Sequence, residues 1–186
     1  MSFFSTKEKA FGLDISDQTL RLVQLKGSRK NTRLQLYNEI KLPLGCVVNG
    51  QIKQTQIFIE NLKKLMKTRM GHGSLRKEVI ISLPDSETFL KSLFIETTNP
   101  EEIPAKINEL LPQEIPLELN EIGFDWQIIE KFDQTNQILV GAAPIKIVKD
   151  YLQIISEAGV MPVVLDMEAT AISNLLIDHN NNHQPQ

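Results

Sequence analysis

Hydroxyl and carboxylate side chains cluster in a short turn near the start of the chain, between the apolar runs Phe11–Ile15 and Leu20–Leu25. The polar residues of this turn are Asp14, Ser16, Asp17, Gln18 and Thr19. Side chains of these types fit two interpretations. One is a site for phosphate and magnesium, and the other is an ordinary hairpin turn, because such turns also favour Asp and Ser.

Other groups give weaker indications of chemistry. The pair Asp166 and Glu168 suits acid–base work, but the pair stands where a strand passes into a helix, which favours a role at the helix N-terminus. The histidines at positions 72, 179 and 183 have no third ligand that would complete a metal site. No Ser/His/Asp or Cys/His arrangement is evident, and we predict no catalytic residue.

Composition narrows the class of protein. With 41% hydrophobic and 23% charged residues, the 186-residue chain is expected to bury a core. The net charge of −3 gives no basic surface for nucleic acid. One cysteine, Cys46, excludes an internal disulfide and is expected to be a plain buried thiol. No run reaches the roughly 20 apolar residues that span a bilayer, and we expect a cytoplasmic protein.

The first half of the chain predicts a meander followed by a helical crossover. Period-two alternation predicts strands over both runs that flank the turn and over Arg33–Pro43. From Thr55 the apolar period is helical, and the helix is expected to stop at Gly71–Gly73. The continuous apolar run Val79–Leu83 predicts a strand that is covered on both faces. The order is β-β-β-α-β.

From Ser86 onward the pattern predicts a second unit. Its predicted elements are a strand at 89–96, a helix from Asn99 with Pro104 in its first turn and an end at Pro112, strands at 124–129 and 138–142, and a helix from Ile145 to Gly159. This β-α-β-β-α order is typical of a small ferredoxin-like module. A strand at 163–167 and a helix at 168–177 then return to the first sheet.

Several local segments together resemble the PilM family, the actin-like proteins of type IV pilus assembly that are related to FtsA. The segments are Gly12–Ser16 with Leu20–Leu25, Ile40–Val48, Val79–Pro84, Leu111–Leu117 leading to Phe124–Trp126, and Gly159–Ala169. The resemblance implies an α+β fold: half of an actin-like (ribonuclease H-like) core with an inserted ferredoxin-like subdomain. The implied divisions are 1–85 for the first part of the core, 86–162 for the insertion, 163–178 for the return to the core, and 179–186 for a disordered tail.

In actin-like ATPases a turn of this kind holds the nucleotide phosphates, and its aspartate helps to position a hydrated magnesium ion. The resemblance therefore assigns Asp14 to the metal, and it assigns the turn residues to the nucleotide: Asp14, Ser16, Asp17, Gln18 and Thr19. Ser16 stands where the family normally carries glycine. Glycine lets backbone amides approach phosphate closely, and the serine side chain is expected to weaken that contact. The chain also corresponds to one of the two halves that clamp nucleotide. ATP and Mg²⁺ are thus implied for a complete two-half protein, and we expect weak or absent ATP binding by this chain.

The resemblance also implies a partner. In this family the cleft between subdomains takes the cytoplasmic tail of the inner-membrane protein PilN, and an extended tail suits an apolar groove. We predict a partner groove from apolar residues in the proline-rich connection, Ile115, Leu117 and Leu119. The alternative is that these residues only pack the inserted module onto the core.

Together these observations predict a scaffold at the inner face of the inner membrane, held there by its PilN-like partner, with pilus assembly ATPases as further partners and no nucleic acid. One alternative is an actin-like ATPase or a sugar-kinase-like phosphotransferase. Such an enzyme needs a catalytic base near a second phosphate loop, and neither is present. Another alternative is an FtsA-like membrane-associated filament protein, which needs an amphipathic C-terminal helix where this chain is rich in Asn and Gln.

Overall fold

The computed structural model describes residues 10–27, 31–97 and 99–176. The tail predicted at 179–186 lies outside the described residues. The strands are β1 (Phe11–Ile15), β2 (Thr19–Lys26), β3 (Arg33–Lys41), β4 (Val47–Val48), β5 (Gln51–Ile52), β6 (Met70–Gly71), β7 (Glu78–Leu83), β8 (Phe89–Glu96), β9 (Ile122–Lys131), β10 (Thr135–Pro144) and β11 (Met161–Met167). The helices are α1 (Thr55–Lys67), α2 (Ile103–Glu114), α3 (Ile145–Glu157) and α4 (Glu168–Leu176).

A six-stranded mixed sheet forms the larger layer, in the order β11-β7-β1-β2-β3-β6. The strands β1, β2 and β3 are antiparallel neighbours, whereas β7 runs parallel to both β1 and β11. The alternation that predicted the meander is visible as burial, because Leu20 and Leu22 face the core while Arg21 and Val23 are exposed. The mixed α+β architecture is therefore as predicted.

Helix α1 covers one face of this sheet through its apolar stripe. Phe58, Leu62 and Leu65 are fully buried, and the lysines at 64 and 67 lie in the last turn. The prediction that this helix stops at the glycines of 71–73 is wrong, because the helix ends at Lys67. The chain after it pairs with β3 as strand β6, and a Cβ at Gly71 would overlap the carbonyl oxygen of Gln35. That glycine therefore serves a close strand approach and not a helix cap.

The second layer is a three-stranded antiparallel sheet in the order β8-β10-β9, with α2 packed on one face. Its own core contains Leu93, Ile95, Ile107, Leu111 and Ile138. Pro104 lies in the first turn of α2, as predicted. Pro112 does not end the helix, because it lies inside the last turn, and α2 continues to Glu114.

Helix α3 packs on the larger core, whereas the sequence predicted that this helix belongs to the second unit. Its buried residues, Ile147, Tyr151, Ile154 and Ile155, belong to the larger core with α1 and the six-stranded sheet. The physical reason is the crossover, because α3 leads from β10 directly into β11, and β11 is an edge strand of the larger sheet. Because β11 pairs in parallel with β7, the helix that enters β11 covers a face of the larger sheet.

Candidate functional site

The turn between β1 and β2 brings together the five polar residues singled out in the sequence, and its hydroxyls bond to each other. The Ser16 Oγ and Thr19 Oγ1 atoms are 2.9 Å apart, and Ser16 Oγ accepts a 3.1 Å hydrogen bond from the Thr19 amide. The Ser16 amide donates to the Thr19 carbonyl at 3.0 Å. The two side chains thus stabilise the hairpin itself.

Asp14 is paired with a cation from the neighbouring strand. Its Oδ2 atom accepts from Arg21 Nη1 at 3.0 Å, and the same guanidinium donates through Nε to Glu39 Oε2 at 2.7 Å. The three residues lie opposite one another on β1, β2 and β3. These bonds, with Glu39 contributing more than Asp14, raise the pKa of Arg21 above its ordinary value. A metal ion at Asp14 would have to compete with this permanent positive charge.

Asp17 binds a second turn of the protein. Its two carboxylate oxygens accept hydrogen bonds from the amides of Asn49 and Gly50, both at 2.9 Å. The neighbouring carbonyl of Gln18 accepts from the Leu42 amide at 2.8 Å. All five predicted site residues therefore lie at this one turn, and the contacts of Asp17 and Gln18 hold neighbouring backbone.

The turn between β4 and β5 connects distant parts of the chain. Gly50 has φ +75°, and a Cβ there would overlap the ring of Pro84, which explains why glycine stands at this position. The Gly50 carbonyl accepts a 2.6 Å hydrogen bond from the buried phenol of Tyr151 on α3, and the Asn49 carbonyl accepts one from Ser86 Oγ at 3.1 Å. The β1–β2 turn, α3 and the segment after β7 all meet here.

An apolar groove of about 380 Å³ lies between the two sheets. One wall is the face of the three-stranded sheet that α2 leaves uncovered, and the opposite wall is formed by α3, the end of β11 and α4. Its apolar side chains include Leu90, Leu139, Val148, Leu152, Leu165 and Met167. Helix α3 thus serves both places, since its buried residues enter the larger core while Val148 and Leu152, which pack partly against that core, also line the groove.

Few polar groups line this groove. Thr170 on α4 is 4% exposed, and its hydroxyl is a buried side-chain polar atom with no hydrogen-bond partner among the described residues. Asp125, Lys149 and Asp166 also lie at the wall. Burial raises the pKa of the Asp166 carboxyl above its ordinary value, while the bond that its Oδ1 accepts from the Met167 amide acts in the opposite direction. The groove is therefore suited to an apolar occupant that also offers a hydrogen-bonding group.

Met167 and Gly141 meet across the groove. The thioether of Met167, on β11, occupies the space where a Cβ at Gly141 on β10 would stand. A glycine inside a strand is typical of such a close approach. The contact joins the two sheets within the lining of the groove.

The predicted partner residues lie elsewhere. Ile115 is buried in the core of the smaller unit, and Leu117 and Leu119 pack partly against that core. They also border a hollow of about 430 Å³ that the chain from Pro112 to Glu121 forms at its own surface. None of the three lines the groove between the sheets. Gly141 and the further apolar residues of α3 were the sequence signals that could have indicated this groove.

The remaining candidates have structural positions. Glu168 begins α4, where the Ala169 amide donates to Asp85 Oδ1 at 3.3 Å, and burial followed by the charge of Asp85 raises the pKa of the Glu168 carboxyl. Cys46 is fully buried. Among the described residues no group of three or more His, Cys, Asp or Glu side chains is placed to hold a metal ion. None of the described helices is both long and apolar enough to cross a membrane.

Comparisons with known proteins agree with this architecture. The family model described as type IV pilus assembly protein PilM matches residues 12–183. A solved structure titled as a PilM-PilN type IV pilus biogenesis complex superposes with a TM-score of 0.78 at 21% identity, covering 89% of this chain and 49% of that one. The cytoplasmic domain of EpsL, an inner-membrane component of the type II secretion system of Vibrio cholerae, gives 0.54 at 13% identity, covering 85% and 57%. No curated protein sequence matches. The chain therefore has the fold of the matched part of that solved structure and spans about half of the length of its chain.

Proposed function

The chain belongs to the PilM family of type IV pilus assembly proteins, and we propose that it is a scaffold that docks the cytoplasmic tail of a PilN-like inner-membrane protein. The apolar groove between the two sheets is the observation that carries this proposal. In this proposal the protein works at the cytoplasmic face of the inner membrane and is held there through its partner.

The shape of the groove favours an extended peptide. It runs between a β-sheet face and a helix, and both walls present apolar side chains to an occupant. Peptides that bind such grooves gain affinity from apolar anchors and specificity from a few polar contacts. The buried hydroxyl of Thr170 is a candidate polar contact, because a hydrogen bond from the tail would satisfy it.

We also propose that nucleotide binding at the β1–β2 turn is weak. The polar groups that would hold phosphate and magnesium already have partners within the protein: Ser16 bonds Thr19, Asp14 bonds Arg21, and Asp17 bonds the turn at Asn49 and Gly50. Binding would have to replace these contacts. Calorimetric titration with Mg-ATP is expected to give a dissociation constant weaker than about micromolar, and tighter binding would contradict this part of the proposal.

The docking proposal is tested with a fluorescein-labelled synthetic peptide of the PilN-like protein's cytoplasmic tail, measured by fluorescence anisotropy. Leu90 lines the groove and is 40% exposed, so Leu90→Glu places a charge in the groove without burying it in a core. Leu34→Glu makes the same change on β3, where the side chain is 57% exposed. We expect at least about tenfold weaker binding for Leu90→Glu, since apolar groove contacts are lost, and unchanged binding for Leu34→Glu.

Circular dichroism shows whether both variants are folded. If the wild-type protein does not bind the peptide, or if Leu90→Glu binds it as tightly as the wild-type protein does, the groove is not the docking site.

A further inference from the structure

Two exposed aromatic side chains lie beyond the groove on the smaller unit. Phe94 on β8 is 62% exposed and Phe132, just after β9, is 50% exposed, and their ring centroids are 6.5 Å apart. It is unusual for two large aromatic rings to contact each other at the surface of a small sheet. Rings that stay exposed to water contribute little hydrophobic free energy to folding. We call Phe94 and Phe132, with Glu96 and Glu130 beside them, the aromatic platform.

The aromatic platform and the groove share one face of the sheet. Leu90, which lines the groove, and Phe94 are four residues apart on β8, so both point to the same side about 13 Å from each other. Gln137 on β10 lies opposite Phe94 and donates to Ser92 Oγ at 2.9 Å on this side. A chain that leaves the groove along β8 therefore reaches the two rings within about four residues.

This face carries acidic and no basic side chains among the described residues of the three strands. Glu96 follows Phe94 by two positions, and Glu130 lies opposite Gln137, so both carboxylates flank the rings. The strand lysines point to the other side. Lys91 is opposite buried Val140 and reaches Glu114 on α2 at 3.4 Å, and Lys131 is opposite buried Asn136.

We propose that the aromatic platform binds the basic stretch of the partner tail that connects the groove-bound segment to the membrane. This proposal rests on the proposed function. Cytoplasmic segments next to a transmembrane helix are rich in Lys and Arg. Such side chains are attracted by carboxylates, and they also stack on aromatic faces. The groove thus recognises apolar sequence, and the aromatic platform recognises the charge that follows it.

Other occupants suit this face less well. The cytoplasmic leaflet carries negative lipids, and nucleic acid carries phosphate, so the carboxylates of Glu96 and Glu130 would repel both. A basic peptide is the occupant that satisfies rings and carboxylates together.

The test uses two fluorescein-labelled peptides: the natural cytoplasmic tail of the PilN-like protein, and the same tail with the Lys and Arg residues beside the membrane replaced by Gln. The protein variants are Glu96→Gln/Glu130→Gln and Phe94→Ala/Phe132→Ala. The control Glu101→Gln/Glu109→Gln removes two exposed carboxylates, one just before α2 and one within it, away from the aromatic platform. All four platform side chains are exposed, so the variants are expected to fold.

For the natural tail we expect each platform variant to bind about three- to tenfold more weakly at low salt, as exposed charge pairs and cation–π contacts allow. The loss for the glutamine variant should shrink as salt is added, because screening removes the same interaction. The Gln-substituted tail should bind the wild-type protein, the glutamine variant and the control equally.

Equal binding of the natural tail by the wild-type protein and both platform variants would overturn the inference while leaving groove docking intact. An equal loss for both peptides would also overturn it, since the carboxylates would then act on the fold and not on the basic residues. If the wild-type protein binds neither peptide, the proposed function itself fails.

Discussion

The phenol of Tyr151 donates a 2.6 Å hydrogen bond to the carbonyl oxygen of Gly50, across 101 positions of sequence. The backbone amides of the same turn, those of Asn49 and Gly50, donate hydrogen bonds to the carboxylate of Asp17. The β1–β2 turn and α3 are therefore held by opposite sides of one two-residue turn. Because α3 is also a wall of the groove, the position of that wall depends on contacts that lie on the far side of the helix.

Replacing Tyr151 by Phe is expected to lower the free energy of unfolding by about 1–2 kcal/mol, because the buried Gly50 carbonyl loses its partner while the ring still packs. Urea denaturation measures the change. Tyr37→Phe, on the exposed side of β3, is the matched control and should differ from the wild-type protein by less than about 0.5 kcal/mol. A similar stability for both variants would mean that the bond to Gly50 contributes nothing.

Gly50→Ala is expected to destabilise the protein more than Gly159→Ala. Both glycines have positive φ, +75° and +93°, so both substitutions carry backbone strain of about 1 kcal/mol. Only at Gly50 would the new methyl group overlap another residue, Pro84, whereas nothing lies within 4 Å of the Cβ position at Gly159. Thermal denaturation measures the loss of stability in each variant. The difference between the two losses gives the cost of the overlap with Pro84. Equal losses would show that Pro84 moves aside at no cost.

Asp17→Ala separates a structural role from a nucleotide role. We expect a loss of about 1–3 kcal/mol in unfolding free energy, because two backbone amides lose a charged acceptor. Asp133→Ala, in the exposed turn after β9, serves as the control. If Asp17→Ala keeps wild-type stability and instead abolishes measurable Mg-ATP binding, Asp17 is a ligand and not an anchor.

Asp166→Asn is expected to stabilise the protein at neutral pH. Burial raises the pKa of this carboxyl in the folded state, so the folded protein binds more protons than the unfolded chain between the two pKa values. Its contribution to stability is favourable below the ordinary pKa and is lost as pH rises through the raised one. Asn retains an oxygen that can accept from the Met167 amide.

The melting temperature of Asp166→Asn should therefore exceed that of the wild-type protein at pH 7, and the gap should narrow as pH falls toward about 4. Asp133→Asn is the exposed control. A gap that stays constant with pH would show that the effect of the substitution is not linked to the carboxyl charge.

The meander could be predicted from sequence because each of β1, β2 and β3 buries one face. Burial of one face makes apolar and polar residues alternate with period two, and this alternation is visible in the sequence. The strand β8 was predicted with its observed bounds for the same reason. Strands β4, β5 and β6 have two residues each and carry no period. They exist because neighbouring backbone needs partners, which single-sequence patterns do not record.

The groove could not be predicted from the sequence for a related reason. Its walls come from β8, β10, α3, β11 and α4, and their side chains meet only after two sheets have packed. The proline-rich connection looked like the receptor because Ile115, Leu117 and Leu119 are apolar in an extended stretch. Those residues pack in or against the smaller core and also border a hollow at its surface, so their role toward a partner stays a prediction. The apolar stripe of α3 was visible, but a stripe does not say which of two neighbours it will meet.

The double use of α3 has an evolutionary consequence. Tyr151 and Ile155 are buried in the larger core, whereas the intervening Leu152 packs only partly against that core and also lines the groove. Selection for a new tail sequence and selection against unfolding therefore act on alternate positions of the same thirteen residues. Lineages that exchange partners should vary at positions 148 and 152 while positions 151 and 155 stay fixed.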